Sequence, residues 1–127
     1  MAHHNDLGKK GEEAAVEFLK KAGHTILTTN YRHQKAEVDI ISSYKHYTVF
    51  TEVKLRSTAS FGHPEEFVTK KKRELMKKAA AEYLLTHKIE SEIRFDIISI
   101  TVRENEFQIL HIEDAFFHEE GSDNRYN

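Results

Sequence analysis

The chain contains 127 residues, of which 39% are hydrophobic and 31% are charged, and these proportions are typical of one soluble globular domain. The absence of cysteine excludes a disulfide scaffold, a thiolate metal site and a cysteine nucleophile. The formal net charge of −2 is unevenly distributed: residues 104–127 hold seven acids and one base, so the rest of the chain carries a net charge of about +4.

Two helices and five strands are predicted in chain order. Apolar residues at helical spacing indicate a first helix from about Leu7 to Ala22, and Gly23 is suited to end it. A second helix, with a similar apolar stripe, is expected from Glu65 or Val68 to Thr86. Strands are expected where β-branched and aromatic residues concentrate, at His24–Thr29, Glu37–Ser42, Tyr47–Leu55, Ile93–Val102 and Phe107–Ile112.

The resulting order, α-β-β-β-α-β-β, predicts a single α/β domain with a mixed central sheet flanked by helices. We place this domain at residues 1–117 and expect the acidic, polar segment 118–127 to be frayed. No apolar run approaches the roughly 20 residues of a membrane-spanning helix, and the first residues lack the apolar stretch of a signal peptide. We therefore expect a cytoplasmic protein without a membrane partner.

Charged residues interrupt two strands that are otherwise apolar. Glu52 and Lys54 are two residues apart in the third strand, so their side chains share one face of the sheet, and Glu37 and Asp39 are related in the same way in the second strand. A hairpin that places Ser42 opposite Tyr47 puts all four side chains on one face. Asp39 and Glu52 are then diagonal neighbours, with Cβ atoms roughly 7–8 Å apart or less.

Two carboxylates at this separation can bind a hard divalent cation, Mg²⁺ or Mn²⁺. The predicted ligands are the side chains of Asp39 and Glu52 and the backbone carbonyl of Val53. Lys54 would orient a water molecule or stabilise developing negative charge, and Glu12 would reach the sheet from the flank of the first helix as an additional or outer ligand. The alternative is a set of solvated, structural ion pairs.

Several spaced blocks of residues along the chain form a recognisable pattern: Gly8–Glu12 followed by Ala15, Asn30–Arg32, Glu37–Ile41, Phe50–Arg56, Phe61–Gly62, the lysine-rich helix, Arg94–Asp96, His111–Ile112 and Ala115–Phe116. Together these blocks resemble those of the YraN-like family of bacterial proteins. The resemblance covers about Asn5 to Phe116 and departs from the family pattern at Ala36, where glycine is usual, and at Thr51, where an apolar residue is usual.

That family is considered endonuclease-like and resembles the PD-(D/E)xK superfamily, within it the archaeal Holliday junction resolvases. The resemblance implies a restriction-endonuclease-like fold and a metal-dependent catalytic site made of Asp39, Glu52, Lys54 and Glu12, with Glu37 as a weaker candidate. It also implies nucleic acid, in the first place DNA, as the partner and, by analogy, a homodimer.

Basic residues are candidates for contacts with nucleic-acid phosphates, although a solvated helix surface explains most such runs. Gly8 and Gly11, expected near the start of the first helix, would admit a phosphate to its N-terminus or allow close packing. Arg94 and Asp96 share a strand face and are expected to pair. The candidate phosphate contacts are Lys9, Lys10, Arg56, Lys70, Lys71, Lys77 and Lys78.

The sequence therefore predicts a metal-dependent endonuclease that hydrolyses phosphodiester bonds. Two alternatives stay open at this point. One is a nucleic-acid-binding module with a nuclease fold but no cleavage, and the other is a protein-interaction domain whose ionic cluster is structural.

Overall fold

The computed structural model describes residues 2–57 and 68–116, which form two helices and one five-stranded sheet. The observed order confirms the predicted α-β-β-β-α-β-β arrangement. The acidic segment 118–127, the Phe61–Gly62 block and the earlier of the two predicted helix starts, Glu65, lie outside the described residues. The elements are α1 (Ala2–Lys21), β1 (Thr25–His33), β2 (Ala36–Tyr44), β3 (Tyr47–Ser57), α2 (Lys70–His87), β4 (Glu92–Arg103) and β5 (Glu106–Ile112).

The five strands lie side by side in chain order, from β1 at one edge to β5 at the other. Strands β1, β2 and β3 form an antiparallel meander, and β5 is antiparallel to β4. Strands β3 and β4 are parallel, with Tyr47 opposite Glu92 and Ser57 opposite Val102. A parallel connection requires a crossover, which α2 provides. The sheet is therefore mixed, as predicted. No helix in the described part of the chain is long and apolar enough to span a membrane.

The two helices cover opposite faces of the sheet. One cluster of buried residues joins Met76, Ala79 and Tyr83 of α2 to strand residues that include Phe50 and Phe95. A separate cluster joins Ala15 and Leu19 of α1 to Ile40, Ile98 and Ile100. Because a strand presents alternate side chains to its two faces, each central strand contributes to both clusters.

Helix α1 begins at Ala2, earlier than the predicted Leu7, so Gly8 and Gly11 lie within the helix and not at its start. The proposed phosphate site at these glycines is therefore wrong. A Cβ atom on Gly11 would lie 3.3 Å from Cδ1 of Leu55, whereas one on Gly8 would meet nothing within 4 Å. Gly11 thus allows close approach of α1 to β3, which supports the packing alternative.

The hairpin between β2 and β3 has a different register from the predicted one. Tyr44 pairs with Tyr47, so the turn contains only Lys45 and His46, and Ser42 lies opposite Val49 instead of Tyr47. The predicted four-residue loop was too long by two residues, which displaces the pairing partner of each β2 residue by two positions along β3. Because this displacement is even, every side chain stays on its predicted face of β3.

Candidate metal centre

Strand β2 is irregular at Asp39. Val38 and Ile41 both belong to the cluster under α2, whereas Ile40 belongs to the cluster under α1. In a regular strand Val38 and Ile40 would share a face, so the alternation is interrupted between them. The pairing of β2 with β3 ends at Ile40 opposite Thr51. The two strands therefore separate just where the predicted acidic residues lie.

The carboxylate of Asp39 takes the place of the interrupted backbone pairing. The backbone N–H of Val53 donates a hydrogen bond to Oδ2 of Asp39 at 2.7 Å. This bond directs the Asp39 side chain toward β3, next to Glu52. In an extended strand the N–H and C=O of one residue point to the same side, so the Val53 carbonyl also opens toward this gap, where it was predicted to act as a ligand.

Glu52 is buried beside Asp39, and only part of its hydrogen-bonding capacity is used. Its side chain is 5% exposed, and its Oε2 lies 3.1 Å from Nζ of Lys72 on α2. Its Oε1 is buried with no hydrogen-bond partner. The two carboxyl groups are close enough to hydrogen-bond to each other when one is protonated. When both carboxyl groups are ionised, two negatively charged acceptors face each other, which is unfavourable unless a cation lies close to both.

The electrostatics of the pair agree with this geometry. Burial, followed by the charge of Asp39, raises the pKa of Glu52 to about 7, although Lys72 and Lys54 oppose the shift. Burial also raises the pKa of Asp39, and the Val53 N–H and the charge of Lys72 act in the opposite direction. Two adjacent carboxyl groups with raised pKa values are typical of functional sites, including sites that bind a cation.

Glu12 approaches Asp39 from α1, on the other side of the sheet from Lys72. Burial raises its pKa first, the charge of Asp39 raises it further, and a hydrogen bond from the Asn30 side chain acts in the opposite direction. Asn30 has a positive φ of 54°, which Asn tolerates better than most residues. A groove of about 490 Å³ lies beside Glu12, lined also by Lys9, Asn30 and Ile40. The structure thus brings Glu12 to the predicted site.

Two lysines contribute positive charge, and only one of them was predicted. Lys54 follows Glu52 on the same strand face, and its charge lowers the pKa of Glu52. The direct ion pair with Glu52, however, is made by Lys72, a member of the basic run of the second helix that was not predicted as a site residue. Its spacing held a usable signal, because Lys72 lies one helical turn before the buried Met76, on the side of α2 that faces the sheet.

The donor set fits magnesium or manganese better than zinc. Among residues 2–57 and 68–116, no group of three or more His, Cys, Asp or Glu side chains is arranged to hold a metal ion. The donors are the carboxylates of Asp39 and Glu52, the second of which has an unpartnered Oε1, together with the Val53 carbonyl predicted to face them. Mg²⁺ commonly binds through one or two carboxylates and completes its shell with water, so a set of this composition is of the kind that it binds.

The predicted phosphate contacts do not form one surface. Lys9 and Lys10 are exposed on α1, whereas Lys71 and Lys78 are exposed on α2, which covers the opposite face. Lys70 is also exposed at the start of α2, and Lys77 lies 3.8 Å from Glu74. Arg56 lines a separate pocket with Leu7, Leu55 and Val102. The predicted basic residues are therefore distributed over both faces of the sheet.

A second ionic cluster, centred on Asp96 of β4, contains the predicted Arg94–Asp96 pair. Arg94 binds both carboxylate oxygens of Asp96, at 2.9 and 2.8 Å, which confirms the pairing. Nε2 of His111 lies 2.7 Å from Asp96, and the backbone N–H of Asp114 also donates to this carboxylate. Every oxygen of Asp96 is occupied, so this buried group is a structural centre, unlike Glu52.

The fold and this site together define a single α/β domain with a mixed sheet, in which a buried pair of carboxyls lies where two central strands separate. The comparisons with known proteins name the family. Residues 11–100 match the uncharacterised protein family UPF0102, and the chain belongs to this family. The YraN-like family predicted from the sequence blocks is thereby confirmed.

Several relatives are similar to the chain over almost their whole length. A UPF0102 protein of Flavobacterium psychrophilum is 51% identical over 118 residues, which cover 93% of this chain and 99% of the relative. UPF0102 proteins of Christiangramia forsetii and Flavobacterium johnsoniae are 48% and 42% identical, again over 93% of this chain and 99% of theirs. The names of these relatives state no activity.

Proposed function

We propose that this protein is a Mg²⁺- or Mn²⁺-dependent nuclease that hydrolyses phosphodiester bonds in nucleic acid, in the first place DNA. The observation that supports this proposal is the pairing of Asp39 with Glu52, whose Oε1 is buried without a partner. Burying two adjacent carboxyls without a functional cation is unfavourable, because each loses hydration and repels the other. A site that retains this arrangement is better explained by a ligand than by folding stability.

Each residue of the site has a role in this proposal. Asp39, Glu52 and the Val53 carbonyl would hold the cation, and the Val53 N–H keeps Asp39 oriented. When bound, such a cation activates water and neutralises charge on the reacting phosphate. Lys54 lies beside Glu52 and would orient the attacking water or stabilise the negative charge that develops on the phosphate. Glu12 would act on the α1 side of Asp39, as an outer-shell group.

The resemblance to the PD-(D/E)xK superfamily supports the same proposal, because the acidic and lysine positions of its motif correspond to residues that the fold brings together. A restriction-endonuclease-like topology and a homodimer are proposed on this resemblance alone. Exposed basic residues on α1 and α2 would contact the phosphate backbone without reading sequence. The two alternatives are a nucleic-acid-binding module that does not cleave and a protein-interaction domain, and the following experiment distinguishes both from a nuclease.

The test is a cleavage assay with Mn²⁺ or Mg²⁺ on branched, double-stranded and single-stranded DNA and on RNA. Glu52→Gln and Asp39→Asn should remove metal-dependent cleavage, whereas Glu13→Gln, an exposed carboxylate on α1, should leave it unchanged. Salt-dependent binding without cleavage in the unmodified protein would identify a binding module. Absence of both, on every nucleic acid and with either metal, would refute the proposal.

A further inference from the structure

Lys72 occupies a position at the carboxyl pair that a bound cation would also require. Its ammonium contacts Oε2 of Glu52 at 3.1 Å, and its charge lowers the pKa of Asp39. The two partners differ in exposure: the Lys72 side chain is 36% exposed and that of Glu52 is 5% exposed. A lysine has a flexible stem and a strongly hydrated head. Lys72 therefore has solvent beside it into which its ammonium can turn, whereas Glu52 is enclosed by protein.

The charges around Lys72 are unfavourable for the start of helix α2. The first turn of α2 carries four consecutive basic residues, Lys70 to Arg73, and no acidic residue. Positive charges at a helix N-terminus oppose the helix dipole and destabilise the helix. Thr69 caps α2 by accepting a hydrogen bond from the backbone N–H of Lys72 at 3.1 Å, which fixes the backbone of Lys72 in the first turn. Departures from local preference of this kind concentrate at functional sites.

We propose that Lys72 and a divalent cation compete for Glu52. In the metal-free protein the ammonium offsets part of the charge of the Asp39–Glu52 pair. A divalent cation neutralises both carboxylates, so Lys72 is then left without a counter-charge and is repelled from the site. The released ammonium lies next to the exposed Lys71 and becomes available to a nucleic-acid phosphate. Lys72 is thus a positioning residue, and its role rests on the function proposed above.

The test measures Mn²⁺ affinity directly, through the paramagnetic relaxation of water protons, without a nucleic acid. Titrations are carried out at pH 8, where protons compete weakly with the metal. Lys72→Met removes the charge and keeps most of the stem, and we expect it to raise the Mn²⁺ affinity about fivefold, the factor that corresponds to loss of one partly exposed ion pair. Lys72→Arg, which retains a competing cation, and Lys71→Met, its exposed neighbour, should both bind Mn²⁺ like the unmodified protein.

A second measurement follows Lys72 itself. Acylation of lysines, quantified by mass spectrometry, should modify Lys72 faster when Mg²⁺ is added, whereas the modification of Lys71 should not change. Unchanged or weaker Mn²⁺ binding by Lys72→Met, or acylation of Lys72 that does not respond to Mg²⁺, would overturn the competition.

The metal site itself is tested separately by Glu52→Gln. If this substitution leaves Mn²⁺ binding unchanged, the metal site and the function proposed above fail together. If it removes binding while Lys72→Met does not strengthen binding, only the competition fails.

Discussion

Replacing Glu52 by glutamine should stabilise the metal-free protein, and the gain should grow with pH. The folded state raises the pKa of Glu52 from 4.5 to about 7. The folded protein therefore binds more protons than the unfolded chain between these two values, and its stability falls as pH rises through this range. At 1.36 kcal/mol per pKa unit, ionisation of Glu52 costs the folded state about 3 kcal/mol at pH 8 and about 1 kcal/mol at pH 5.

The glutamine variant does not carry this cost, and its amide can donate a hydrogen bond to Asp39. Lys72 loses its partner but is exposed enough to be hydrated. We expect the free energy of unfolding of Glu52→Gln, relative to the unmodified protein, to increase by about 2 kcal/mol between pH 5 and pH 8. For a chain of this length a stabilisation of about 2 kcal/mol corresponds to a rise in Tm of roughly 7 °C.

The assay is urea denaturation in EDTA at several pH values, with Glu13→Gln as the control for loss of an exposed carboxylate. The decisive quantity is the change with pH of the stability difference between the variant and the unmodified protein, because any effect of the substitution that does not depend on pH cancels. A glutamine variant that is less stable at pH 8 than at pH 5, relative to the unmodified protein, would refute the reasoning. It would mean that Lys72 and Lys54 more than offset the burial and repulsion of the carboxyl pair.

Three further predictions concern charged groups. Lys54→Ala should remove metal-dependent cleavage and change stability by less than about 1 kcal/mol, because its charge is not the direct partner of Glu52; a strongly destabilised variant that is rescued by Asp39→Asn would show a structural role instead. Changing Lys70, Lys71, Lys77 and Lys78 of α2 to alanine should weaken nucleic-acid binding for all sequences and make its salt dependence shallower. An unchanged slope in a salt titration would show that these four lysines are an ordinary solvated surface. Burial alone would raise the pKa of Asp96, but hydrogen bonds from His111 and Arg94 outweigh it and hold the pKa below its ordinary value. Asp96 therefore adds stability above its unfolded pKa that is lost as pH falls through the folded value, so Asp96→Asn should cost about 3–5 kcal/mol at pH 7 and much less in acid, as measured by urea melts.

The element order and the acidic residues of the site, Asp39 and Glu52, could be predicted from the sequence because both depend on local patterns. Glu52 lies in a run of apolar residues, and the period of two in a strand assigns its face without knowledge of the register. The register itself was not predictable, because the Lys45–His46 turn contains none of the glycine or asparagine signals that mark two-residue hairpins. The irregularity of β2 at Asp39 also has no local signature, since it arises from the separation of the two strands.

Lys54 was predicted from the strand pattern, whereas the contact of Lys72 with Glu52 depends on tertiary packing and was missed for that reason. Lys72 looks like any residue of a lysine-rich helix until α2 is placed against the sheet. Helical spacing relative to Met76 shows that it is directed inward, but spacing does not identify Glu52 as the residue that it meets. Orientation within an element is encoded locally, whereas the partner in another element is fixed only by the fold.

The connectivity of the site also bears on the order in which it assembles. Asp39 and Glu52 belong to two strands joined by a two-residue turn, so forming this hairpin closes only a short loop. Lys72 arrives on α2, and the parallel pairing of β3 with β4 forms only across that helix, which makes it the non-local step of folding. We therefore expect the two acids to be neighbours before the ammonium of Lys72 reaches them, and the docking of the crossover helix then completes the core and adds a second positive charge to that of Lys54.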